Sequence, residues 1–189
     1  MTTIVAVRKD KQIVIAADRL TTYGSVKESA KYVVNSSKIL RLGDTYFGLS
    51  GEASWDIVLT SYYNSLTKKP KLDSISAIYE FARVMHPVLL EEHYLHPEAD
   101  KDDDFDPTNI MALIVNKHGI FILGRYRYVQ EYTRFYAMGN GREFALGAMF
   151  TLYDTEASAK EIAKAGVTAG CEFDEDSEGP IEVKTIALE

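Results

Sequence analysis

The chain carries one strand–turn–strand unit twice, about a hundred residues apart, and this repetition limits its folds more than any other feature. Thr3–Arg8 is apolar and β-branched, Lys9-Asp10-Lys11 is polar, and Gln12–Ala17 is apolar again. That pattern reads as a hairpin. Ile110–Val115, the turn Asn116-Lys117-His118-Gly119 and Ile120–Leu123 repeat it. Asn116 and Gly119 suit turn positions of positive φ. The strands are apolar almost throughout, as expected of sheets covered on both faces. Two such hairpins, far apart in the chain, predict two sheets that face each other.

Helical periodicity fills the gaps. Trp55, Val58, Leu59, Tyr62 and Leu66 form one stripe after Ser54, a candidate N-cap, and Lys68-Lys69-Pro70 closes it. Ile75, Ile78, Ala82, Met85 and Leu89 form a second, opened by Asp73, and Pro87 should kink or divide that helix. Gly139-Asn140-Gly141 leads into a third helix near Arg142–Leu152. Thr155 caps a fourth near Glu156–Gly170, and Ile181–Leu188 closes the chain as a strand. The expected class is α+β. Helix pairs over a two-sheet core give a four-layer α/β/β/α sandwich, in one domain spanning residues 1–189. Four layers exceed the usual two or three, and periodicity alone does not specify that number.

Composition excludes several functions. The 189 residues suffice for a core without disulfide or metal support. A net charge of −7 argues against nucleic-acid binding. No apolar run reaches the length of a membrane span, and the apolar start ending at Val7 has no basic segment before it, unlike a signal peptide. A soluble cytoplasmic protein is expected. Cys171, the single cysteine, excludes an internal disulfide and is expected to be a small buried hydrophobe. His86, His93, His96 and His118 lack metal-ligand spacing. The acidic run Glu98–Asp106 lacks the glycine and glutamate of a calcium loop and is expected to be a solvated loop.

No Gly-x-Ser-x-Gly elbow, phosphate-binding loop or His pair is present, so chemistry must be sought elsewhere. Thr2 follows Met1 directly. Once Met1 is removed, Thr2 holds a hydroxyl and a free amine on adjacent carbons. That amine, with a reference pKa of about 7.7–8.0, can act as base for its own hydroxyl. With Met1 attached the same nitrogen is an amide and cannot do so. Small second residues favour Met removal, so a processed form is expected.

A Met-Thr start is common; its context is less so. The second strand ends in Ala16-Ala17-Asp18-Arg19. Then come Asn35-Ser36-Ser37-Lys38-Ile39-Leu40-Arg41-Leu42 and Tyr46-Phe47-Gly48-Leu49-Ser50-Gly51. Met138-Gly139-Asn140-Gly141 and Asp174-Glu175-Asp176-Ser177-Glu178-Gly179 follow in order. In these motifs, over nearly its whole length, the chain resembles the proteasome β-subunits and their bacterial relative HslV, which are amino-terminal-nucleophile (Ntn) hydrolases. It looks most like a separate bacterial proteasome-like group, such as the betaproteobacterial proteasome homologue.

The resemblance implies the sandwich fold and a set of roles. Thr2 would be the nucleophile and its α-amine the proton acceptor. Lys38 would lie beside Thr2 and depress the amine pKa, with Asp18 holding Lys38 charged and oriented. The Gly51 N–H would donate to the oxyanion. Asp174 and Ser177 would hold the amine of Thr2. Asn140 stands where the family usually has serine, a departure that bears on the relay near Thr2. The 18–38 loop is longer than usual, and residues 97–107 look like an insertion relative to HslV. Leu49 and Ala53 would line the specificity pocket and give an apolar preference. A monovalent cation would be held through carbonyls at Gly170, Phe173 and Asp176, and catalysis would need no cofactor.

The function so implied is a self-compartmentalised threonine endopeptidase acting on peptides or unfolded proteins. Self-association into a ring or helical stack and an AAA+ unfoldase partner are implied with it. Two alternatives stay open at this point: an Ntn amidohydrolase acting on small amides, and a non-catalytic proteasome-like assembly subunit.

Overall fold

The computed structural model describes residues 2–96 and 104–188. The first sheet joins β1 (Thr3–Lys9), β2 (Gln12–Ala17), β10 (Phe135–Gly139) and β11 (Glu182–Ala187) in the order β10-β1-β2-β11. The second runs β5 (Ile39–Leu42), β6 (Thr45–Ser50), β7 (Met111–Val115), β8 (Ile120–Leu123) and β9 (Val129–Tyr132) in chain order. All strand pairs are antiparallel. A small separate hairpin, β3 (Thr21–Tyr23) with β4 (Val26–Glu28), occupies the long 18–38 loop.

Period-two alternation explains the continuous apolar runs. Along β1, Ile4 and Ala6 enter the cluster between the sheets, while Val5 and Val7 face the last two helices. Along β7, Leu113 and Val115 meet the same central cluster, while Ala112 and Ile114 face the first two helices. Those helices are α1 (Trp55–Ser65) and α2 (Ile75–Glu92); the others are α3 (Arg142–Tyr153) and α4 (Ala159–Phe173). Three apolar clusters therefore separate four layers, the α/β/β/α sandwich. None of the described helices is long and apolar enough to cross a membrane.

Several boundaries differ from expectation, each for a local reason. Ser54 is already helical at φ −74°, ψ −13° and its side chain caps nothing. At the other end of α1, Lys69 Nζ donates to the carbonyls of Tyr63, Asn64 and Leu66 at 2.6, 3.2 and 2.9 Å. Ser74, not Asp73, caps α2 by accepting the Ala77 N–H. That helix runs on through Pro87, because Ile78, Ala82 and Met85 before it and Leu89 after it share one buried stripe. Asn116 and Gly119 lack positive φ. Asn116 instead serves through its side chain, donating to Leu72 O at 2.6 Å and accepting from His118 N–H at 2.9 Å. Of these two hairpin turns it is the first that has positive φ, at Asp10 and Lys11. The acidic run expected over residues 98–106 lies mostly outside the described residues.

Thr155 is not the cap of α4. Ser158 and Glu161 form a capping box: Ser158 Oγ accepts from the Glu161 N–H, and the Glu161 carboxylate accepts from the Ser158 N–H. Ser158→Ala should cost about 1 kcal/mol of stability, read as a shift in urea midpoint at unchanged slope. Gly170 does not end this helix, which continues to Phe173.

Candidate active site

The motifs meet at one end of both sheets. The register sets Thr3 opposite Gly139 and Ile4 opposite Ala17, so Asp18 falls just past the end of β2, beside the start of β1. Its N–H donates to Thr3 O at 3.2 Å, and Thr3 N–H donates back to Asp18 Oδ1 at 2.8 Å. Lys38 precedes β5 in the facing sheet and is fixed there when Leu49 N–H donates to its carbonyl at 2.9 Å. The Lys38 ammonium reaches across to both Asp18 oxygens, at 2.9 and 2.8 Å.

This ion pair is secluded: the Asp18 side chain is 0% exposed and that of Lys38 is 11% exposed. Asp18 Oδ2 also accepts N–H groups from Leu20 at 3.0 Å and Glu178 at 3.4 Å. The carboxylate is thus held by backbone donors as well as by Lys38. Burial pushes the Lys38 pKa below its ordinary 10.5. Asp18 opposes that shift by its charge and hydrogen bond, with smaller help from Cys171 and Asp174.

Thr2 is buried and lies in the wall of a cavity of about 530 Å³ that Lys38 also lines. Gly51, Leu49 and Ala53 stand in the same wall. Gly51 has φ +110°, and a Cβ built there would meet nothing within 4 Å. The backbone conformation, not crowding, is what requires glycine at this position.

The floor of the site is built from small residues. Gly139 has φ +95°, and a Cβ there would come within 2.0 Å of Thr2 O. A Cβ at Gly141 would sit 2.0 Å from Thr3 Oγ1, and one at Gly170 would sit 2.3 Å from the same atom. The glycines around Asn140 and in α4 are therefore packing glycines that let the Thr2-Thr3 segment lie against the α3 and α4 ends. Asn140 sits exposed between two of them, at the turn into α3.

Ser177 Oγ lies 2.7 Å from Thr3 Oγ1 and donates to Asp174 Oδ2 at 2.6 Å. The Asp174–Ser177 pair thus ties the end of α4 to Thr3, a residue that reading the sequence left without a role. The Asp174 N–H donates to Gly170 O at 2.9 Å, closing the helix. Phe173, the last residue of α4, is exposed, and Asp176 is 8% exposed. Cys171 is half-buried beside this group, and burial pushes its thiol up to about 11, which makes it a poor nucleophile.

Sequence reading also missed Ser36. It is 3% exposed in the cavity wall, and its Oγ has no hydrogen-bond partner. Leaving such a group unsatisfied costs about 1–3 kcal/mol. No sequence signal separates it from Ser37 beside it, which is exposed and bonded to Glu182 at 2.5 Å. Among the described residues, no group of three His, Cys, Asp or Glu side chains could hold a metal ion.

No protein-family model matches the chain, and no curated protein matches it either. Solved structures do. Thiobacillus denitrificans BPH is 40% identical, with a TM-score of 0.93 over 99% of this chain and 98% of that one. The same protein solved in complex with epoxomicin is 39% identical, with a TM-score of 0.92 over 99% of both chains. HslV from Trypanosoma brucei shares the fold at a TM-score of 0.65 and 20% identity, over 98% of this chain and 99% of that one. The fold, the order of the motifs and the identity to BPH over nearly the full chain agree: the protein belongs to the proteasome and HslV-like family of Ntn hydrolases, with a proteasome-type peptidase fold.

Proposed function

We propose that the protein is a self-compartmentalised threonine endopeptidase with Thr2 as nucleophile. The observation that carries this reading is the placement of Thr2 and Lys38 in one cavity wall, with Lys38 Nζ held by a fully buried Asp18. The solution of T. denitrificans BPH in complex with epoxomicin, an epoxyketone, supports it.

After loss of Met1, the Thr2 amine takes the proton of the Thr2 hydroxyl as its oxygen attacks the scissile carbonyl. The Lys38 ammonium disfavours a second positive charge nearby and keeps that amine neutral. The oxyanion receives the Gly51 N–H, and the amine passes its proton to the departing peptide nitrogen. Water, deprotonated by the same amine, then cleaves the ester. Asp174 and Ser177 act through Thr3, holding the β1 start and so the direction of the Thr2 amine. Asn140, with an amide that both donates and accepts, borders the turn beside Thr2.

A monovalent cation fits the end of α4. Carbonyls there lie at the negative end of the helix dipole, and the Asp176 carboxylate is nearly buried. Gly170, Phe173 and Asp176 would hold it, and it would brace the 170–177 turn that carries Asp174 and Ser177. One domain, a cytoplasmic location, a ring or helical stack of copies and an AAA+ unfoldase complete the proposal. A closed chamber admits only extended chains, so folded substrates would have to be opened first.

Light scattering combined with digestion assays separates this from the alternatives. A many-subunit particle that cleaves peptides and denatured protein is expected. A monomer or dimer active only on small amides would establish the amidohydrolase reading instead, and an assembled particle without any activity the scaffold reading.

The pH profile supplies a second check. Activity should rise as the Thr2 amine loses its proton, below its reference value of about 7.7–8.0 because Lys38 is near. It should fall again as Lys38 loses its own, and burial places that limb below 10.5. Between the lowered Lys38 pKa and 10.5 the unfolded chain binds more protons than the folded one. The contribution of Lys38 to stability therefore rises with pH across that window. A kcat/KM profile that stays level up to pH 10.5 would contradict the role of Lys38.

A further inference from the structure

The cavity at Thr2 carries charge that the chemistry above does not use. Glu28 in β4, Glu52 after β6 and Asp56 in the first turn of α1 all stand in its wall. None of the three forms an ion pair with any described lysine or arginine. Asp56 accepts the Ile57 N–H at 2.7 Å, which leaves its charge in place. Lys38 is the cation of this wall, and its charge is matched by Asp18 behind it. Carboxylates therefore outnumber ammonium groups in this wall three to one.

Two further features suit one kind of occupant. Ser36 in the same wall has a buried Oγ without a partner, a hydrogen-bond acceptor for a donor-rich group. Leu49 and Ala53 supply an apolar stretch in the same wall. A long side chain with an alkyl stem and a cationic head matches both, stem on the apolar stretch and head at the carboxylates.

We propose that this cavity selects peptides with arginine or lysine immediately before the scissile bond. The inference rests on the reading of Thr2 as nucleophile and names the substrate class of that site. It replaces the apolar preference expected from Leu49 and Ala53 alone. The sequence could not show it, because Glu28 reaches the cavity only through the β3–β4 hairpin, which lies in the long 18–38 loop.

The test compares kcat/KM of the processed, assembled protein on fluorogenic peptides that differ only in Arg, Lys, Leu or Glu before the cleaved bond. Arg and Lys should exceed Leu at least tenfold, and Glu should be the poorest. Glu52→Gln and Glu28→Gln should each lower the Arg-to-Leu ratio about threefold or more, and the double variant further. Raising the salt from 0.05 to 0.5 M should lower the ratio in the unaltered protein, since exposed carboxylates are screened over about a Debye length. This second measurement does not depend on any variant folding. A ratio at or below one, or a ratio indifferent to both substitution and salt, overturns the inference. Labelling of Thr2 by a peptide epoxyketone in the same preparation separates the two failures. An adduct with Leu preferred sinks only the specificity; no adduct and no hydrolysis of any peptide sinks the peptidase reading along with it.

Discussion

Thr2→Ala should lower kcat for peptide hydrolysis by about 10⁴-fold or more, the scale seen when a nucleophile is removed from a catalytic unit. The loss is chemical. Thr2 precedes β1 and is buried, so deleting one hydroxyl and one methyl should move the melting temperature by only a few degrees. Thr2→Ser retains both the amine and a hydroxyl on adjacent carbons, and its activity should stay within about a hundredfold of the parent. Steady-state kinetics on one peptide, with melting curves for each variant, make the comparison. If Thr2→Ala keeps more than a tenth of the parent activity, the nucleophile lies elsewhere.

Asp18→Asn should be the most destabilising conservative change in the site, costing about 3–5 kcal/mol, the range for breaking a buried pair by removing one partner. The carboxylate is 0% exposed and accepts Lys38 as well as the N–H groups of Thr3, Leu20 and Glu178. An asparagine amide turns one acceptor edge into a donor edge facing donors. Lys38, already lowered by burial, then loses the group that most opposes that shift, and its pKa falls further. Lys38→Met should cost less stability, because Asp18 keeps its backbone donors. Both variants should lose most activity. Urea denaturation ranks the two; a larger loss for Lys38→Met would mean that the pair, rather than the backbone cradle, holds Asp18.

The legible parts of the fold were those in which one physical signal dominates. Val5 and Ile4 are both apolar because each faces a different cluster, so the sheets could be read as doubly covered from the strands alone. Helix ends were harder, since one residue type serves two purposes. Gly170 reads as a stop, yet it is small so that Thr3 can approach, and α4 continues past it. Thr155 and Ser158 are both plausible caps, and only the Glu161 that completes the box decides between them. The β3–β4 hairpin carries no strong apolar alternation, because its residues are exposed or half-buried.

The site divides in the same way. Asp18 and Lys38 are 20 residues apart and belong to different sheets, so spacing alone could not pair them; resemblance to a family could. Thr3, Ser36 and Glu28 matter through the position the fold gives them, and nothing in their neighbours' identities marks them out. Asn140 departs from the family pattern, and the structure places it exposed at the turn between two glycines that Thr2 and Thr3 pack against.

Intact mass of the purified protein before and after a peptide epoxyketone shows whether a free amino-terminal threonine is the nucleophile. That reagent closes its ring only with an amine and a hydroxyl on the same terminal residue. A chain lacking Met1 that gains one adduct per subunit is expected, with Thr2→Ala gaining none. A processed chain that gains no adduct under conditions where it cleaves peptides would contradict it.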